Sequence, residues 1–137
     1  MNKTTSFILL TVLLSPAVWA ASCPSVTSVQ KGCDEGDCKK ISFEDENGKW
    51  AGSQSGLISR DINHFLQATR VKMYGGEGIN CTYKTQGDGR VNISFLGKED
   101  KLYSFKLSDK WLDQQDDIAI CTATSHTHCS FEPKIAE

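Results

Sequence analysis

Three histidines are the side chains best suited to acid–base chemistry in this sequence of 137 residues: His64, His126 and His128. An imidazole titrates near neutral pH, so one ring can accept a proton while another donates one. His64 together with His126 or His128 could therefore cleave a phosphodiester, which makes a small secreted hydrolase one hypothesis. Nothing in the spacing of the histidines requires such a pair, and exposed or half-buried histidines are the favoured interpretation.

The segment His126-Thr127-His128-Cys129 is the one local pattern that resembles a metal site. Alternate residues of a strand point to the same side, so the two histidines could share a zinc or copper ion. Cys129 is better used in a disulfide, however, and no carboxylate is near in sequence. We therefore expect an exposed polar turn here, and we expect no metal and no other cofactor.

Acidic residues form a short run between two cysteines, at Asp34, Glu35 and Asp37. Calcium needs several oxygens that converge on one point, and this run lacks the order of acidic residues found in an EF-hand loop. Solvated loop charge is the better interpretation. The serines offer no hydrolase signature either, because none lies in a Gly-x-Ser-x-Gly turn.

Six cysteines occur in the chain, and an even number in an exported protein indicates a set of disulfides. Zinc is the competing interpretation, but no Cys-x-x-Cys knuckle is present. Cys33 and Cys38 are close in sequence, and Gly36 allows the chain to turn between them. We expect these two to pair. If all six cysteines pair, no thiol is left to act as a nucleophile.

The amino-terminal segment has the pattern of a secretory signal peptide. Lys3 precedes the apolar run Phe7–Leu14, and small residues lead to Ala20. The apolar run is too short to span a membrane, so we expect cleavage after Ala20 and a single exported domain over residues 21–137. An uncleaved anchor and a lipid attached at Cys23 are the alternatives. The sequence does not distinguish the periplasm from the extracellular space.

The charge of the predicted mature chain is mild. Without Lys3, 14 basic residues stand against 17 acidic ones, a net charge of −3 with histidine neutral. This balance gives no general electrostatic reason to bind nucleic acid or an anionic membrane. No later segment is apolar and long enough to cross a bilayer, so we expect no stable membrane insertion.

The clearest local structure is a hairpin in the middle of the chain. Apolar residues alternate over Ile79–Lys84 and Arg90–Leu96, and Gly87-Asp88-Gly89 joins the two runs. A second hairpin is predicted around Asn47-Gly48, between Ile41–Glu44 and Lys49–Gly52. The segment Phe65–Met73 favours a strand, with a helical turn before it as an option.

The remaining segments predict short elements. Pro24 suits the start of a helix over Ser25–Gln30 that Gly32 would end. A strand is expected at Leu102–Leu107, where it would continue a meander, and a loop or helical turn at Lys110–Asp117. A further strand is expected at Ile118–Ala123, and Ser125–Thr127 would turn the chain back toward Cys129. The tail from Pro133 is expected to be loose. The pattern predicts a mainly β fold: one small antiparallel barrel or sandwich, disulfide-stabilised, with at most one or two short helices.

The mature chain resembles a known family of small exported, disulfide-containing, mostly uncharacterised proteins of Gram-negative bacteria, some of them secreted by intracellular pathogens. The residues that carry the resemblance are Cys23-Pro24, Trp50-Ala51-Gly52, Phe65, Ala68, Cys81-Thr82-Tyr83, Trp111, Cys121 and Cys129-Ser130-Phe131. The resemblance implies an exported β domain with disulfides, and it implies no catalytic residue.

Cys33 and Cys38 lie outside the family pattern, which fits a separate local pair. The other four cysteines then pair among themselves. The pairing that the resemblance favours joins Cys121 to Cys129 across the last hairpin and Cys23 to Cys81, although four thiols allow three connectivities.

The leading functional hypothesis is an exported, non-enzymatic binding protein, such as an effector or inhibitor. It would present loops from a cross-linked β scaffold to a macromolecular partner, most simply a protein. The residues chosen for this contact are Asp34, Glu35, Asp37, Trp111, His126 and His128. Both Trp50 and Trp111 are also expected to be at least half buried. The alternatives are the small hydrolase and a structural component of the cell envelope.

Overall fold

The computed structural model describes residues 19–136, which form a mainly antiparallel β fold with one α-helix. This confirms the fold class. The helix is α1 (Val26–Asp34), and the strands are β1 (Lys40–Asp45), β2 (Gly48–Ser55), β3 (Ile62–Met73), β4 (Gly76–Thr85), β5 (Arg90–Gly97), β6 (Tyr103–Leu107), β7 (Leu112–Asp113), β8 (Ile118–Thr122) and β9 (Phe131–Ile135). Of the predicted signal peptide, residues 1–18 lie outside the described residues.

The α-helix begins where the sequence suggests but ends later. The Ser25 side chain accepts a hydrogen bond from the amide of Ser28 at 3.1 Å and so caps the first turn. Gly32 was expected to end the helix, yet it lies inside α1. A Cβ at Gly32 would lie 2.8 Å from Cδ1 of Phe43, so the glycine allows the helix to pack closely against β1. Within residues 19–136, no helix is both long and apolar enough to cross a membrane.

The main sheet is open, with its strands in the order β1-β2-β5-β4-β3-β8-β7. The hairpins β1–β2 and β4–β5 confirm the two predicted hairpins. Strand β2 lies beside β5 rather than beside β3, which follows it in the chain, and this is a Greek-key order. The connection over residues 56–61 passes the tip of the β4–β5 hairpin, where the amide of Gln86 donates to the carbonyl of Asp61 at 3.0 Å.

The carboxy-terminal third departs from the predicted meander. Strand β6 does not pair with β5; it meets β4 at one position, Glu77 opposite Tyr103, and otherwise pairs with β9. The expected return of Cys129–Phe131 onto β8 is wrong, because a 3₁₀ helix at His126–His128 redirects the chain to β6. Pro133 is part of β9, so the tail is ordered there. The short strand β7 lies in the segment predicted as a loop or helical turn.

The core is rich in aromatic rings around Phe95. Its ring centroid lies 5.1 Å from that of Trp50, 5.7 Å from Phe105 and 5.6 Å from Phe131, all with edge-to-face geometry. Trp50 is fully buried and Trp111 is 8% exposed, which confirms that both tryptophans belong to the core.

Three disulfides cross-link the described chain. They join Cys23 to Cys81, Cys33 to Cys38, and Cys121 to Cys129. These are the pairs expected above. The third encloses the 3₁₀ helix rather than a hairpin turn.

The segment that follows Ala20 is attached to the sheet from its first residue. Ala21 exchanges two backbone hydrogen bonds with Phe131, at 2.8 Å and 2.9 Å. At the next residue, Nδ2 of the buried Asn47 donates to the carbonyl of Ser22 at 3.2 Å. The ordered fold therefore includes the chain from Ala21 onward.

Two further side chains bind the carbonyls of this segment. Nδ1 of His126 lies 2.7 Å from the carbonyl oxygen of Cys23, and the hydroxyl of Tyr83 donates to the carbonyl of Pro24. Burial raises the pKa of Tyr83 far above its usual value, and the nearby Asp45 carboxylate adds to the rise. Tyr83 thus stays protonated as a hydrogen-bond donor at any physiological pH.

Candidate functional site: a cleft between β4 and β5

The acidic residues between Cys33 and Cys38 lie on the surface at the end of α1. Asp34 accepts a hydrogen bond from Gln30 at 3.0 Å, and Glu35 lies 3.9 Å from Lys31 with both side chains well exposed. Within residues 19–136, no group of three or more histidine, cysteine, aspartate or glutamate residues could hold a metal ion. These carboxylates are therefore solvated charges around the helix end.

The structure does not bring the histidines together as an acid–base pair. Because the carbonyl of Cys23 can only accept, Nδ1 of His126 carries a proton and donates to it. His128 is exposed on the same 3₁₀ helix. His64 is exposed on β3, opposite Lys84 of β4. No contact among these residues supports the hydrolase hypothesis.

Trp111 is one of the residues predicted to contact a partner, but its ring belongs to the interior. Its indole Nε1 donates to the carbonyl of Ser130 at 2.9 Å, and only 8% of the residue is exposed. Little of the ring remains for a partner to touch.

A concave feature of the described residues is a cleft where two neighbouring strands separate. The pairing of β4 with β5 runs from Lys84 opposite Arg90 to Asn80 opposite Ser94, and it stops there. Beyond that point β4 remains paired with β3 back to Gly76, while β5 remains paired with β2 as far as Gly97. The separation opens a cleft of about 790 Å³.

An ion pair near the start of β4 fixes the β4 side of the cleft. Glu77 Oε2 lies 3.4 Å from Nη1 of Arg70, and both side chains are largely buried. The other oxygen, Oε1, accepts a hydrogen bond from the amide of Phe105 at 2.8 Å. A buried carboxylate needs such partners, and here they hold β4 against β3 and β6 rather than against β5.

The β5 side is shaped by a glycine. Gly97 has a φ of +80°, and a Cβ at this position would clash with the ring of Tyr103. The ring therefore packs directly on the backbone at the end of β5. The Tyr103 hydroxyl in turn accepts a hydrogen bond from the amide of Glu99 at 3.1 Å, which fixes the loop over residues 98–102 at one end of the cleft.

The cleft has apolar walls and a rim with charges of both signs. Large apolar side chains that line it remain exposed: Val71, Met73, Leu96 and Leu102. The charged residues of the rim are Lys49, Lys98, Glu99, Asp100 and Lys101. Exposed apolar surface bordered by mixed charge is typical of a site for protein or peptide.

A disulfide supports the point where the cleft begins. In chain order, Asn80 is the first residue of β4 that pairs with β5, and Cys81 directly follows it. Cys81 is bonded to Cys23. Cys81 is fully buried opposite Ile93 of β5. The paired half of the hairpin is thus fastened to the amino-terminal segment while the unpaired half is free to diverge.

None of the residues that the sequence analysis predicts for interaction lines this cleft. The sequence did contain two signals for it. Glycines are concentrated at Gly75, Gly76 and Gly78, where β4 leaves β5, and Leu96 is an apolar residue on the face of β5 opposite to buried Phe95.

Comparison with known proteins places the chain in a family. Residues 18–132 match the family described as "Protein of unknown function (DUF3757)", and the chain belongs to this family. No curated protein and no solved structure matches the chain.

Proposed function

We propose that this chain is an exported binding protein that takes an extended segment of a partner protein into the cleft between β4 and β5. The observation that carries the proposal is the separation of these strands beyond Asn80 and Ser94. By binding, the protein would act as an effector or inhibitor of that partner.

An extended segment suits the cleft because strand backbone borders it on both sides. Past Asn80 and Ser94 the facing edges of β4 and β5 no longer bond to each other, and β6 pairs with this part of β4 only at Glu77. An added strand can use such free backbone groups for affinity and nearby apolar pockets for specificity. Val71 and Leu96 supply apolar surface on the two sides.

The proposed location is outside the cytoplasm, as one domain of residues 21–137 after cleavage behind Ala20. Disulfides persist mainly in oxidising compartments, and this chain has three. The backbone hydrogen bonds of Ala21 with Phe131 also support this boundary, because the first residue after the proposed cleavage point is already bound to the sheet.

A selection from a displayed library of random peptides tests the proposal with defined ligands. Peptides selected on the purified protein are measured against Leu96→Asp, which places a charge in the cleft. We expect at least about a tenfold loss of affinity, because a buried apolar contact at the centre of an interface is replaced by a charge.

The matched control is Leu57→Asp. Leu57 is also exposed, but it lies near Gly87 at the tip of the β4–β5 hairpin, away from the cleft. Selected peptides should bind this variant as they bind the unchanged protein. The proposal fails if selection yields no binder, or if the two variants weaken binding equally.

A further inference from the structure

Trp19 packs beside the cleft and is the second residue before the proposed cleavage point. Its ring centroid lies 5.6 Å from that of Phe95 and 6.3 Å from that of Tyr103. Above the indole, Nζ of Lys98 lies 4.4 Å from the ring centroid. All three contacted residues line the cleft. Trp19 itself does not line the cleft, so Phe95, Lys98 and Tyr103 form an aromatic subsite that adjoins it.

The subsite holds the indole by its ring and not by its polar atom. Nε1 of Trp19 is buried and has no hydrogen-bond partner among the described residues. Two aromatic neighbours and one cation recognise the flat π surface of a ring, which tryptophan, tyrosine and phenylalanine share. The chemistry of the subsite thus selects an aromatic side chain.

Cleavage after Ala20 would remove Trp19 but leave the backbone pairing of the adjoining segment in place. The two backbone hydrogen bonds to Phe131 are made by Ala21, on the other side of the cleaved bond. Phe95 and Tyr103 are held by their own strands and would then face the cleft without a ring to cover them. Loss of the signal peptide would empty a site that is already formed.

We infer that the aromatic subsite receives an aromatic side chain of the partner protein in the mature chain, and that Trp19 occupies it before cleavage. This inference rests on the proposed binding function and names the chemistry of one ligand group. The uncleaved chain would be unable to bind its partner, so that binding begins only after export.

The test uses the chain purified from cells that export it. Its intact mass should correspond to a first residue of Ala21; a product that retains Trp19 overturns the inference. The peptide Pro-Ala-Val-Trp-Ala-amide, which copies residues 16–20, is then titrated while backbone amide resonances are followed by NMR. We expect saturable shifts at Phe95, Lys98 and Tyr103, with half-saturation at or below roughly 1 mM, the effective concentration of a short tether.

Two comparisons make the titration specific. The same peptide with alanine in place of tryptophan should cause no saturable shift. The variant Lys98→Ala should weaken binding about 2- to 5-fold through loss of the cation over the ring. Lys84→Ala, which removes an exposed lysine of β4 that does not line the cleft, should leave binding unchanged.

The outcomes separate this inference from the proposed function. If selected peptides bind the cleft but the tryptophan peptide gives no shift at several times the stated concentration, the aromatic subsite is refuted and the binding cleft stands. If the tryptophan and alanine peptides shift the same residues equally, the inference also fails. If no peptide of either kind binds, both proposals fail.

Discussion

Removing individual disulfides should destabilise the protein to very different extents. The bond between Cys23 and Cys81 spans 58 residues, whereas the bond between Cys33 and Cys38 spans 5. In the chain-entropy treatment, the longer loop gives about 4.2 kcal/mol at 25 °C and the shorter one about 2.1 kcal/mol. The alanine variant of the first pair should therefore lose about 2 kcal/mol more stability than that of the second.

The two pairs are well matched for this comparison because all four cysteines are buried. The loss of packing on replacement by alanine should then be similar, and the difference in loop length should decide the result. Urea unfolding followed by the fluorescence of Trp50 and Trp111 gives both free energies. Equal losses, or a larger loss for Cys33→Ala with Cys38→Ala, would refute the view that the long bond fastens the amino-terminal segment to the central hairpin.

Two further predictions concern buried contacts. Tyr83→Phe should cost about 1–2 kcal/mol at pH 7, because the buried carbonyl of Pro24 loses its donor. Burial raises the pKa of Tyr83 above the usual value of 10.0 for a phenol, so the contribution of neutral Tyr83 to stability is complete below pH 10.0. That contribution is lost as the pH rises above this value. The free energy of unfolding of the Phe variant should lack this alkaline dependence. Gly52→Ala should cost at least about 2 kcal/mol, because a Cβ there would overlap the backbone of Asn92 on β5. Gly78→Ala, where a Cβ would meet only the flexible end of Met73 at 3.4 Å, should cost less than about 1 kcal/mol in the same urea titration.

Local patterns were sufficient to predict the hairpins. The alternation around Gly87-Asp88-Gly89 and around Asn47-Gly48 depends only on neighbours in sequence, and both hairpins are present. The strand predicted at Phe65–Met73 is also present and begins three residues earlier, at Ile62. Apolar side chains that alternate every second residue indicate such strands directly in the sequence.

Pairing between distant strands could not be predicted in the same way. The alternation of Leu102–Leu107 predicts a strand, but it does not say whether β5 or β9 lies beside it. Gly32 shows the same limit for a helix, because its role depends on the approach of Phe43 from another element. A glycine that ends a helix and a glycine that permits close packing look alike in sequence.

The candidate site was missed for a related reason. Sequence patterns point to polar and charged loops as sites of function, whereas the cleft is lined by apolar side chains such as Val71 and Leu96 that resemble core residues in sequence. Their exposure follows from the divergence of β4 and β5, which is a tertiary feature. Trp19 lies in the predicted signal peptide, so its sequence position gives no reason to expect a contact with the folded domain.

Site-specific photo-crosslinking in cells that produce the protein tests the central claim most directly. A photoreactive amino acid replaces Leu96 in the cleft or Leu57 at the hairpin tip, and both positions are exposed. The proposed function predicts a crosslinked protein partner at position 96 in the envelope or extracellular fraction, and no such product at position 57. Crosslinks that are equal at both positions, or that are missing at position 96, would contradict it.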